Sequence, residues 1–189
     1  MLLLCYAIHT LLQVTQTTTM KVEEITTQEQ YDKAKAEFLK KYPDMPAPKP
    51  IECLNLLLRK TFAEQIVEGK KKVEFRDFSE HYCSRIFDKD VTNWVEEHED
   101  DEDASFFANN VRPVKRIHFH NYNNSWGLDV ECKHNDYMAL IDKNVDYLRE
   151  AYDCHELDEM LDDYNKRNQE DRPLFFYFAL GKILDKQGL

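Results

Sequence analysis

Lys71, Glu74 and Arg76 are the residues whose types and spacing are best suited to chemistry. They sit in the stretch R-K-T-F-A-E-Q-I-V-E-G-K-K-K-V-E-F-R-D, residues 59–77. An arginine presents a planar fork that grips carboxylate or phosphate with two hydrogen bonds, and a lysine presents a compact point charge. A glutamate beside them can accept hydrogen bonds or move protons. On a strand, Glu74 and Arg76 share one face, whereas Lys71 has the opposite parity. Lys71 joins them only if the turn after Gly69 rotates it inward. From the residues alone, the ordinary expectation is a surface Glu–Arg pair beside a solvated lysine, worth under about 1 kcal/mol.

Two elements must position these side chains. Thr61, with Glu64 three residues later, matches a capping box, and Phe62, Ile66 and Val67 supply an apolar stripe at helical spacing. Gly69 suits the residue just past a helix end, where the left-handed conformation is common. From Lys72 the period changes to two, with Val73 and Phe75 on one face and Lys72, Glu74 and Arg76 on the other. Upstream, Cys53–Leu58 is a short apolar run that reads as a buried strand.

Gly69, Lys71, Glu74 and Arg76 together spell G-x-K-x-x-E-x-R. This resembles the signature of the ASCH domain family, whose fold is a small β-barrel of the PUA-like type. The resemblance implies that these positions line a cleft on the barrel, and that the cleft accepts RNA, single-stranded nucleic acid or a nucleotide. Ligand contacts are then expected from Lys71, Glu74, Arg76, Arg59 and Lys60, with Gly69 as a structural part of the motif. One branch of the family consists of amidohydrolases acting on N4-acetylcytidine with lysine, threonine and glutamate. Only the lysine carries over, onto Lys71, because Glu74 stands where that branch has its threonine. As an enzyme, the protein would use Lys71 as general base with Glu74 as its proton-transfer partner. A third expectation is a protein-interaction domain using residues 20–50.

Composition narrows these options. The 189 residues carry a formal net charge of −11, which excludes a general polyanion binder and leaves only a local basic patch. Arg59, Lys60, Lys70, Lys71, Lys72 and Arg76 form one, offset by Glu64, Glu68 and Glu74. Aromatic residues make up 12%, enough to provide stacking platforms for unpaired bases. The odd set Cys5, Cys53, Cys83, Cys132 and Cys154 lacks any C-x-x-C, which favours reduced thiols and a cytoplasmic location.

Along the chain, residues 1–19 are expected to be a mis-assigned start or a disordered, weakly signal-like segment. Their apolar part is too short to span a bilayer, and no membrane association is expected. Translation is expected to begin at Met20. Residues 20–50 form an N-terminal helix and connector: Thr27 and Gln30 suggest a cap, Tyr31, Ala34, Phe38 and Tyr42 a stripe, and four prolines follow between Pro43 and Pro50. Residues 51–189 are expected to form the ASCH-like domain.

Within that domain, Ser79 is expected to cap one long helix with a stripe of Cys83, Phe87, Val91, Trp94 and Val95. It would run out into a solvated acidic loop at residues 96–103. Residues 114–120 and 126–132 alternate as two strands around Asn123-Asn124, a register that pairs His118 with Asp129. His118, His120, Cys132 and His134 have zinc-ligand chemistry, but this register separates the two pairs, and no metal or cofactor is expected. Residues 143–166 read as a helix in two pieces broken near Asp153. The run L-F-F-Y-F-A-L after Pro173 suits a strand covered on both faces. The whole is expected to be α+β: a small mixed or antiparallel PUA-like barrel with surrounding helices and an N-terminal helical arm.

Overall fold

The structure, a computed structural model, describes residues 28–167 and 171–189. The leading segment, the Met20 start and the Thr27 cap all lie outside the described residues. Contacts group the chain into two units, one holding residues 28–48 with 87–110 and the other residues 49–86 with 111–189.

The larger unit is built on five strands: β1 (Leu54–Leu57), β2 (Val73–Asp77), β3 (Arg116–His120), β4 (Gly127–Ala139) and β5 (Leu174–Gln187). They form one curled half-barrel sheet in the order β1-β3-β4-β5-β2. Only β1 and β3 run parallel; the other neighbours are antiparallel. The expected α+β class and mixed sheet are therefore present.

Alternation explains which side chains go inside. Leu54 and Leu56 of β1 are buried opposite Ile117 and Phe119 of β3, while Asn55 and Leu57 face outward. Phe119, Phe176 and Phe178 are wholly buried, each contributing roughly 2–3 kcal/mol of apolar transfer. His118 pairs with Asp129, the expected register, although the reversal is not a two-residue Asn123-Asn124 turn: the Asn124 amide donates to the Asn121 carbonyl, and Asn124 lies at a positive φ of 52°. Strand β4 runs on to Ala139, well past the expected Cys132, and register shifts between Asp129 and His134 let it follow the curl of β5.

The free edge of β1 is occupied by guanidinium groups. Arg85 donates to the Asn55 carbonyl and Arg76 to the Leu57 carbonyl, each at 2.8 Å. Both arginines also approach the Tyr82 ring.

Helix α2 (Lys60–Val67) precedes β2, and α3 (Glu80–Ile86) follows it. The Thr61 cap does not form. The helix starts earlier because the Arg59 carbonyl already accepts from the Phe62 and Ala63 amides. On the outer sheet face, Val73, Met138 and Tyr177 pack with Val145, Leu148 and Leu161. Those last three lie on α6 (Asp142–Tyr152) and α7 (Asp158–Lys166). The break between these helices falls at Asp153, in the left-handed conformation at φ 52°.

The smaller unit holds α1 (Gln28–Lys41), α4 (Lys89–Glu97) and α5 (Glu102–Phe107). Phe38, Trp94 and Phe107 are the centre of their shared core. The single long helix expected from Ser79 to Val95 is instead two. Asp88 is extended, and its side chain accepts from the Asp90 and Val91 amides, which begins α4 afresh. The acidic run is also more ordered than a solvated loop. Asp101 caps α5 at the Asp103 amide, pairs with Lys41 at 2.5 Å and accepts from the Tyr42 hydroxyl. Among the described residues no helix is long and apolar enough to cross a membrane.

Candidate functional site

The site begins with a backbone reversal. Gly69 lies at φ 73°, and the chain folds back so that the Gln65 carbonyl receives both the Lys70 and Lys71 amides, at 2.9 and 3.1 Å. Glycine meets this requirement without a Cβ penalty. Because β2 begins only at Val73, Lys71 is not bound by strand parity. Its side chain turns inward and is almost wholly buried. The reversal thus supplies the rotation needed to bring Lys71 to Glu74 and Arg76.

The Lys71 Nζ lies 3.6 Å from Glu74 Oε2 and 2.5 Å from Glu156 Oε2. The rings of Phe62 and Phe75 flank the ammonium, with centroids 5.5 and 5.9 Å away. Aromatic faces attract a cation through their quadrupole, more so where water is excluded.

Glu74 and Arg76 stand on the opposite sheet face from Val73 and Phe75. Their cross-strand neighbours are Phe178 and Phe176, so the ion pair faces an apolar interior. Arg76 Nη1 pairs with Glu74 Oε1 and also donates to the Phe75 carbonyl. Burial pushes the Glu74 carboxyl above its ordinary range, outweighing the opposing pull of the Arg76 and Lys71 cations. Two atoms here remain without a hydrogen-bond partner despite being buried: the acceptor Glu74 Oε2 and the donor Arg76 Nε.

Glu156 is the member that sequence reasoning missed. It lies in the short connection between α6 and α7, far along the chain, where no periodic or spacing signal marks it. Beside it, Asp153 pairs with Lys72 at 3.0 Å, so two ion pairs tie this connection to the segment before β2. Arg59 and Lys60 stand exposed at the start of α2, outside the ion-paired set. Formal charges in the cluster balance: Lys71 and Arg76 against buried Glu74 and exposed Glu156.

The zinc-type residues are placed differently. His118 contacts Asp129 at 2.5 Å and stacks on His120, while exposed His134 lies against the Tyr177 ring. Burial pushes the Cys132 thiol up to about 12. Among the described residues, no group of three or more His, Cys, Asp or Glu side chains is arranged to hold a metal ion.

No family model matches the chain, and no curated protein matches it. A solved structure, the crystal structure of a mutant ZmASCH protein from Zymomonas mobilis, is similar over 72% of this chain and 71% of that one. Sequence identity is 17% and the TM-score 0.36.

Proposed function

We propose that this protein is a recognition module for a nucleobase, in a nucleoside, a nucleotide or single-stranded RNA. The observation that carries this reading is a pair of buried atoms without a hydrogen-bond partner, Glu74 Oε2 and Arg76 Nε. Buried polar groups are normally hydrogen-bonded, and an acceptor and a donor left without such partners suit a ligand edge that offers the complement. Nucleobase edges carry such donor–acceptor patterns, and exposed Phe62 and half-buried Tyr82 offer aromatic surface for stacking. The exposed Glu156 carboxylate, which makes the cluster neutral as a whole, argues against a phosphate approaching Lys71. Phosphates of a longer ligand would fall to the exposed Arg59 and Lys60, and the overall acidity limits the ligand to short or unpaired segments.

A second reading, hydrolysis of an acylated nucleoside, draws support from the raised Glu74 carboxyl beside Lys71, a pairing able to exchange protons. Here Lys71 would act as general base.

Calorimetric titration with cytidine, N4-acetylcytidine and short single-stranded RNAs tests both. Binding by the wild type that is lost in Glu74→Gln and Lys71→Met supports recognition. Release of cytidine from N4-acetylcytidine by the wild type and not by Lys71→Met would establish turnover instead. Absence of both binding and turnover would refute the site.

A further inference from the structure

We infer that Glu156 is the specificity-determining residue of this site: its carboxylate keeps anionic groups away from Lys71, so that the buried set admits uncharged polar ligands only. The inference rests on reading the Lys71, Glu74 and Arg76 cluster as a ligand site.

Three sides of the Lys71 ammonium are taken by buried or ring-bearing neighbours: Glu74 at 3.6 Å and the faces of Phe62 and Phe75. The remaining contact is Glu156, at 2.5 Å. Exposure separates these groups. Lys71 and Glu74 keep 6% and 4% of their side-chain surface, whereas Glu156 keeps 42%. Among the charged partners of Lys71, Glu156 is therefore the one an incoming ligand meets first.

The position of Glu156 is held by the chain around it. Cys154 and Leu157 are buried in the outer-face core, pinning the backbone on either side. Asp153 is tied to Lys72, and His155 Nδ1 contacts Asp158 Oδ2 at 2.9 Å. A carboxylate so fixed repels a phosphate or carboxylate at close range. Without that charge, Lys71 and Arg76 would face Glu74 alone, and the set would become net cationic.

Glutamine at 156 has nearly the same shape and still offers Lys71 an amide oxygen, so Glu156→Gln removes the charge and little else. Inorganic phosphate and cytidine would be titrated separately into the full chain by calorimetry, for the wild type, Glu156→Gln, Glu156→Asp and the Glu156→Gln, Lys71→Met double variant. The expected result is phosphate binding strengthened by about tenfold or more in Glu156→Gln, absent in the double variant and weakened by added salt. Glu156→Asp, which retains the charge, should behave as the wild type. Phosphate affinity unchanged in Glu156→Gln, or a gain that survives Lys71→Met or appears equally in Glu156→Asp, would overturn the inference. Cytidine reports on the other question. If no variant binds it while Glu156→Gln still gains phosphate, the nucleobase reading fails and the role of Glu156 stands.

Discussion

The Arg76 guanidinium donates to the Leu57 carbonyl at 2.8 Å, joining a side chain on one edge strand of the sheet to the backbone of the other edge strand. An unpaired strand edge exposes a row of hydrogen-bonding groups, and here two arginines answer them where another strand would otherwise do so. The same Arg76 also compensates Glu74 in the interior. Arg76→Ala should therefore cost about 3 kcal/mol, because it leaves a buried carboxylate without its closest cation. Arg76→Lys should fall between, keeping the charge but losing the fork that reaches two partners at once. Urea unfolding midpoints measure both, and an alanine variant as stable as the wild type would contradict this account of the edge.

Glu74 should make stability depend on pH with a definite sign. Its carboxyl is raised by burial above the ordinary glutamate value of 4.5. Such a group contributes stability that is complete below that ordinary value and is lost as pH rises through the raised one. Glutamine does not titrate. Urea melts between pH 4 and pH 8 should thus show Glu74→Gln gaining on the wild type as pH increases. A gap moving the other way would mean that the cations, and not burial, dominate at this carboxylate.

At Gly69 the expected cost is conformational. The residue sits at φ 73°, yet no atom lies within 4 Å of where a Cβ would stand. Gly69→Ala should then cost about 1 kcal/mol from the left-handed backbone alone, and Gly69→Asn less, since asparagine tolerates that region. Thermal unfolding of the two variants provides the check. A loss several-fold larger in alanine would point to a packing role that the open surroundings do not show.

Thiol reactivity should follow burial. Cys132 keeps 7% of its surface, and its thiol is pushed up to about 12, so little thiolate exists at neutral pH. Cys53 is only half buried. Brief alkylation of the native protein, followed by peptide mass mapping, should modify Cys53 well before Cys132, with denaturant removing the difference. Equal labelling without denaturant would show that β4 opens readily.

Much of the sheet was legible from alternation. The pairing of His118 with Asp129 followed from the turn residues, and the break at Asp153 from the flanking stripes. The division at Asp88 was hidden because Cys83, Phe87, Val91 and Trp94 keep helical spacing straight through it, while the decisive event is one side chain accepting two amides. The site was only half visible. Glu74 and Arg76 share a face by strand geometry, but Lys71 joins them through a backbone reversal that parity alone cannot supply. Glu156 meets Lys71 only after the chain has traversed β3, β4 and α6, and so no local pattern foretells it.

The placement of β5 has a consequence for the order of assembly. Residues 73–77 of β2 pair with residues 175–179 and with no other strand of the sheet. During synthesis, the strand bearing Glu74 and Arg76 must wait, unpaired, until almost the whole remaining sheet has been made. Long-range pairing of this kind closes slowly and leaves an exposed edge in the interval. The ion-paired cluster is thus among the last features to form, and a nascent chain halted before residue 174 would hold every residue of the cluster yet lack the strand that assembles it.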